Sequence, residues 1–158
     1  MDFRISKDID ECQRLWNMFS PNQRLFDVWD YRACFFDGKE QELHFIAGFS
    51  NGKPDGIIPL VLYKRTNQYN YFGGWFTAER NPLYIKDKSK VAQFLDQCPE
   101  NTFMEGLSPE EGKNYNFPED EFTHYLDLSK YNYSFEEYFN SLDKKRQKNL
   151  RYDLKSIP

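Results

Sequence analysis

Cysteine and histidine are scarce, three and two in 158 residues. Cys12, Cys34 and Cys98 stand far apart with no C-x-x-C, and His44 and His124 are isolated. That pattern excludes a zinc site and a disulfide framework. No apolar run reaches the ~18 residues of a membrane span, and the opening MDFRISKDIDE is too polar for a signal peptide. The expected location is the cytoplasm. Positive charge is also short: the net charge is -4 and the pI about 5.3, which argues against general nucleic-acid or membrane affinity. The eight glycines are Gly38, Gly48, Gly52, Gly56, Gly73, Gly74, Gly106 and Gly112, and no two are spaced as G-x-G. A loop that cradles a pyrophosphate on backbone N–H groups is therefore not expected. No internal repeat or low-complexity segment occurs.

Aromatics are abundant. Fifteen Phe and eleven Tyr give side chains that bury large areas, so the chain is expected to pack as one globular domain. Its centre is Leu43 to Tyr63, LHFIAGFSNGKPDGIIPLVLY. Leu43, Phe45, Ala47 and Phe49 alternate onto one face, NGKPDG supplies turn residues, and Ile57 to Tyr63 is nearly all apolar. This predicts a hairpin whose second arm is buried on both faces. Pro59 interrupts it. Proline donates no ladder hydrogen bond, so an edge or bulge is expected there, a place where a sheet opens toward a ligand.

Around the hairpin, the spacing predicts a helix from Asp8 with Ile9, Cys12, Leu15, Trp16 and Phe19 inward, begun by an Asp8/Glu11 capping box. A second helix is predicted from Arg24 to Phe36, with Leu25, Trp29, Ala33 and Phe36 on one side. Both are read as covers of the sheet. Strands are predicted over Tyr69–Phe76, ending at Gly73-Gly74, over Leu83–Lys86, Thr102–Leu107 and Phe122–Leu128, with a helix from Asp87 to Cys98. Gly73-Gly74 marks a tight turn or a close backbone approach. Arg80 and Asn81, before Pro82, are candidate polar groups at the mouth of a cleft. Glu105 sits mid-strand beside Met104 and is expected to face solvent. The expected whole is an α/β domain with a mainly antiparallel twisted sheet of six or seven strands flanked by helices.

The chain closes with a Ser134/Glu137 capping box, then LDKKRQKNLRYDLKSIP. Residues 143–155 carry six Lys or Arg and two Asp, a net of +4, which leaves -8 on the rest. At 100° per residue, Leu142, Leu150, Leu154 and Ile157 share one arc, with Lys144, Lys148, Arg151 and Lys155 opposite. Arg146 falls at the edge of the apolar arc, where a charge needs a partner.

LFDVWDYR, GIIPLVLY, YFGGWF followed by RNPLY, and LDKKRQKNLRYDL together resemble the N-terminal half of the FemAB-like and BioF2-like acyltransferases, which are built on the GNAT fold. The likeness spans nearly the whole chain. Asn149, Leu150 and Arg151 match the end of the family's basic linker helix, K-x-R-x-N-hydrophobic-R. Gln147 stands where the family carries an Arg, with Arg146 beside it. The resemblance implies a GNAT-like half domain over 1–142 and a linker helix over 143–158 leading to a second half that binds the acyl donor, acyl-CoA or an aminoacyl-tRNA. The first half then shapes the cleft for a small-molecule or peptide amine acceptor. No cofactor is expected in this chain itself, and its apolar C-terminal arc is expected to pack on the second half or on another copy. Candidate ligand-binding residues are Gly73, Gly74, Arg80, Asn81, Arg146, Lys148 and Arg151. Residue type alone offers Glu105 and Tyr125 as a general base. Two other classes compete with this reading: a non-catalytic module whose basic helix docks a phosphate-rich partner, and a purely structural half.

Overall fold

A computed structural model describes residues 1–74, 81–107 and 126–156. The chain divides into two compact units, Met1–Glu121 and Phe122–Pro158. The described part of the first unit is mixed α/β, with an open, mainly antiparallel sheet of six strands. In chain order the elements are β1 (Asp2–Ser6), α1 (Ile9–Phe19), a 3-10 turn (Leu25–Asp27), α2 (Trp29–Ala33), β2 (Gln41–Ser50), β3 (Lys53–Tyr63), β4 (Gln68–Tyr71), β5 (Tyr84–Ile85), a 3-10 turn (Lys88–Lys90), α3 (Val91–Leu95) and β6 (Thr102–Phe103). The spatial order is β1-β2-β3-β4-β6, with β5 also on β3. Among the described residues only the β4/β6 pair is parallel.

The expected hairpin is present as β2 and β3, and Leu43, Phe45 and Ala47 share a buried cluster with Phe49 packed against it. The same cluster takes Cys12, Leu15 and Trp16 from α1 and Trp29 from α2, so these two helices cover that face. Trp16 meets Trp29, Phe72 and Tyr84 edge-on, and Trp29 stacks on Phe72 at 4.8 Å between centroids. The opposite face buries Ile46, Ile58, Leu60, Leu83 and Ile85 under Val91 and Phe94 of α3. Helices thus lie on both faces, as a central strand apolar on both sides requires.

Pro59, expected to mark an edge or a bulge, is not the site of the bulge. The register shifts between Gly48 and Phe49, leaving Asp55 as the extra residue. Pro59 marks a fork instead. On one edge of β3, β5 pairs with Gly56 and Ile57 and β4 pairs with Leu60 to Tyr63. The Pro59 carbonyl accepts from the Phe72 N–H at 2.8 Å on that edge, and the missing proline donor points the same way, into the gap between the two strands. No ladder bond is lost.

Several predicted elements are shorter than expected. The Arg24–Phe36 helix is broken: Val28 is extended, and the Asp27 carbonyl, which a continuous helix would need, accepts from Trp16 Nε1 and Ser20 Oγ. The Asp27 carboxylate turns back onto the N–H groups of Gln23 and Arg24. Asp8 does cap α1 through the Glu11 N–H, yet the Glu11 carboxylate binds Arg4 and Ser6 in place of closing the box. Those contacts tie down β1, an exposed edge strand that its weak alternation did not announce. Strand β4 stops at Tyr71, before the glycines, and β6 stops at Phe103. Leu128 begins a 3-10 turn rather than ending a strand, and residues 122–125 of that prediction lie outside the described residues.

The second unit holds a 3-10 turn (Leu128–Tyr131), α4 (Phe135–Ser141) and α5 (Lys144–Ser156). Ser134 caps α4 through the Glu137 N–H, which is half of the expected box; the Glu137 carboxylate accepts from Asn132 Nδ2. Among the described residues no helix is long and apolar enough to cross a membrane.

His44 lies on β2, buried, with neither ring nitrogen hydrogen-bonded, edge-on to Tyr69 at 4.7 Å. Burial, and after it the nearby Lys7 ammonium, holds the imidazole below its ordinary range, and Glu42 opposes them. The native state therefore binds fewer protons than the unfolded chain. Stability contributed here is complete above the ordinary histidine value of about 6.5 and is lost as pH falls below it toward the depressed native value. Urea unfolding at stepped pH is expected to show that loss, and His44→Phe to flatten it. An unchanged pH slope in the variant would assign the dependence to other groups.

Candidate functional site

A cleft of about 400 Å³ opens beside the β4/β6 pair, lined by Gln68, Asn70, Tyr71, Gly74, Asn81, Phe103 and Glu105. The strands set its floor. Gln68 and Asn70 are two apart on β4, and pair with Tyr63 and Val61, so their side chains rise from one face. Phe103 is the parallel partner of Asn70 and shares that face. Met104 turns into the core under α3, and Glu105 returns to the cleft side by the same alternation.

Gly73 and Gly74 form the turn that leads away from β4. Their φ values of 102° and 68° lie in the region that favours glycine, and the Gly74 N–H closes the turn on the Tyr71 carbonyl at 3.2 Å. A Cβ at Gly74 would stand 3.2 Å from the Tyr63 hydroxyl. The glycine pair is therefore a tight turn at the cleft wall, the first of the two roles its sequence allowed.

Asn81 holds the opposite wall. It is buried and both ends of its amide are engaged: Oδ1 accepts from Arg32 Nη1 at 2.8 Å and Nδ2 donates to the Glu105 carbonyl at 2.7 Å. Its backbone N–H donates to the Gly106 carbonyl at 2.8 Å. Asn81 thus fixes the segment that carries Glu105. Behind it stands Arg32 from α2, with no exposed surface. Arg32 also donates from Nε to the Phe26 carbonyl at 2.6 Å and from Nη1 to the Phe72 carbonyl at 2.8 Å. Its guanidinium lies about 5 Å from the Trp16 and Tyr71 ring centroids. Burial pushes its pKa below the ordinary value, with Tyr71, Tyr84, Asp27 and Tyr31 acting against that. Tyr71 in turn donates its hydroxyl to the Pro82 carbonyl at 2.7 Å.

Two lining residues carry an acceptor without a described partner, one of them closed to the cleft. Asn70 Oδ1 is shut off from solvent and has no hydrogen-bond partner. Glu105 is half-buried rather than out in solvent as expected, and among the described residues no cation pairs with its carboxylate. An unpaired buried acceptor costs about 1–3 kcal/mol until a donor reaches it. The described lining carries no Lys or Arg. The arrangement suits a ligand that donates hydrogen bonds and brings positive charge.

The sequence had singled out Gly74, Asn81 and Glu105, which the fold brings together, with Gly73 in the adjoining turn. Arg80 and Tyr125 lie outside the described residues. Arg146, Lys148 and Arg151 lie on α5 in the second unit, all exposed. Arg146 finds its partner in Asp143 at 3.5 Å, and the Arg151 guanidinium sits over Phe139 at 4.8 Å. Gln68, Asn70, Phe103 and Arg32 were missed. The signal for Arg32 was a cation three residues after Trp29, on the inward side of an apolar helix. Cys12 and Cys98 are pushed up to about 11 by burial, so neither supplies a thiolate near neutral pH. Among the described residues no group of three or more His, Cys, Asp or Glu gathers as a metal site. Compared with protein-family models, with curated proteins and with solved structures, the chain matches none.

Proposed function

We propose that this chain is the N-terminal, GNAT-like half of a FemAB-like or BioF2-like N-acyltransferase, whose β4/β6 cleft shapes the site for an amine acceptor. A second GNAT-like half holds the acyl donor, acyl-CoA or an aminoacyl-tRNA. The observation that carries the reading is the cleft itself: Glu105 lines it with a carboxylate that no described cation pairs, and its described lining has no Lys or Arg. A protonated amine is drawn to such a site, and positioning it against a thioester or ester carbonyl is the main task of this chemistry. The ammonium first gives a proton to a base; the free amine then attacks the carbonyl, and the donor's thiol or hydroxyl leaves carrying the second proton that the amine sheds. The donor itself is a poor fit here, because a pyrophosphate needs clustered N–H groups or cations.

Calorimetry with acetyl-CoA and a longer acyl-CoA tests this division of labour. No binding to the isolated chain is expected. A one-to-one complex with a dissociation constant near ~10 μM, about 7 kcal/mol, would place the donor site in this chain and overturn the reading.

A second reading is a binding module that docks a phosphate-rich partner through α5. Lys144, Lys148 and Lys155 have no carboxylate within 4.0 Å among the described residues, which leaves them available to phosphates. On either reading, Ala at Arg146, Lys148 and Arg151 together is expected to weaken any phosphate-bearing ligand of the intact protein and to shallow its salt dependence. Unchanged affinity at low salt would remove the helix from the site.

A further inference from the structure

We infer that β1 pairs with β1 of a second copy of this chain, antiparallel and about a twofold axis at Phe3, so that two sheets join into one. The inference does not rest on the acyltransferase reading.

Strand β1 ends the strand order, and among the described residues no strand pairs with its outer side. The register shows which of its backbone groups face outward. Pro59 directs its carbonyl away from β2, toward Phe72. Residues directly opposite in an antiparallel pair exchange both hydrogen bonds or neither. Phe45, the partner of Pro59, therefore directs its own groups to β1, where it stands opposite Ser6. By alternation Arg4 and Asp2 also turn to β2, and Phe3 and Ile5 present their N–H and C=O groups to the outside. Such an edge is a template for another strand.

The side chains select the partner. Paired with itself about Phe3, β1 sets Asp2 opposite Arg4 of the partner subunit, and the same ion pair recurs across the axis. Met1, just before the strand, falls opposite Ile5 of the partner subunit, and both are exposed apolar side chains in the single chain. Phe3 meets its own copy, its ring already fixed edge-on against Phe94 at 5.0 Å. Arg4 is positioned too. It lies over the Phe49 ring at 4.9 Å and donates to Glu11 at 2.5 Å, with guanidinium donors left for a second carboxylate. Slipping the pairing by two residues sets Arg4 opposite Arg4 in one direction and Asp2 opposite Asp2 in the other, and like charges in that position repel. A slip of one residue turns the wrong faces together. The register centred on Phe3 thus satisfies backbone, charge and apolar contacts at once. A strand pair this short buries less than a standard interface, so the dimer is weak and depends on concentration.

Sedimentation equilibrium of the full chain from about 10 μM to about 1 mM tests this. A monomer–dimer equilibrium is expected. Asp2→Lys sets two cations opposite each other and Arg4→Glu two anions, and each is expected to weaken association at least about tenfold. In an equal mixture of these two variants the introduced lysine faces the introduced glutamate, and Arg4 of one chain faces Asp2 of the other, so the mixture is expected to regain the dimer. Ile5→Pro removes an outward N–H while sparing the β1/β2 ladder, and should also weaken association. Circular dichroism of each variant checks its fold. A monomer at every concentration overturns the inference. A dimer that none of the single variants weakens places the contact elsewhere, and a mixture that stays monomeric denies this register; either also overturns it.

Discussion

Arg32→Met is expected to lower the stability of the first unit by about 3–5 kcal/mol, measured by urea unfolding. Methionine fills much of the volume but orphans the carbonyls of Phe26 and Phe72 and the Asn81 Oδ1. Each buried acceptor left unpaired costs about 1–3 kcal/mol, and breaking a buried charged network falls in the same range. That is a large part of the 5–15 kcal/mol that usually separates folded from unfolded chains. Arg32→Lys should recover little, since an ammonium cannot place its donors on acceptors that lie in a planar fork. Arg151→Met, an exposed change on α5, serves as control and should stay within about 0.5 kcal/mol. A loss of under about 1 kcal/mol for Arg32→Met would mean that the network is not what holds Asn81 and the Glu105 wall.

The second large effect lies on the opposite face. Gly48 and Gly56 are register partners on β2 and β3, and the Phe94 ring lies against both. A Cβ at Gly48 would stand 2.4 Å from Phe94 Cζ and 3.1 Å from the Phe3 ring, so its nearest neighbours are side chains. A Cβ at Gly56 would stand 2.9 Å from Phe94 Cζ, from Ile85 Cα and from the Tyr84 carbonyl. Side chains can yield and backbone cannot. Phe94→Ala alone is expected to cost about 3–5 kcal/mol, and Gly56→Ala about 1–3 or more. The pairing with Phe94→Leu separates the two glycines. It should relieve a good part of the Gly48→Ala cost and little of the Gly56→Ala cost, because β5 still blocks the latter. Additive losses in both double variants, in thermal or urea unfolding, would show that the ring does not set the spacing between α3 and the sheet.

The sheet's centre was legible because its pattern is periodic: Leu43, Phe45 and Ala47 alternate, and the apolar β3 demands cover on both sides. Pro59 was read as marking an edge or a bulge; the bulge lies at Asp55, and the proline faces the gap between β4 and β5, since a sequence shows a missing donor without showing which edge it faces. The broken second helix was illegible for a different reason. Asp27 stops it through hydrogen bonds from Trp16 and Ser20, contacts between elements that no local propensity encodes. The cleft was half legible. Gly74 and Asn81 stand out by type and neighbours, whereas Gln68 and Asn70 look like ordinary polar positions of a strand until the parallel pairing with Phe103 gives them a common face. Glu105 was judged by its odds of facing solvent, and the alternation through Met104 decides otherwise.

The most direct measurement of the account is an amide shift map of the full chain with two ligands in turn, a dipeptide with a free amino group and acetyl-CoA. The dipeptide is predicted to perturb Gln68, Asn70, Asn81, Phe103 and Glu105, and acetyl-CoA to leave those five unmoved. Acetyl-CoA perturbing the cleft while the dipeptide leaves it silent would contradict the assignment of this chain as the acceptor half.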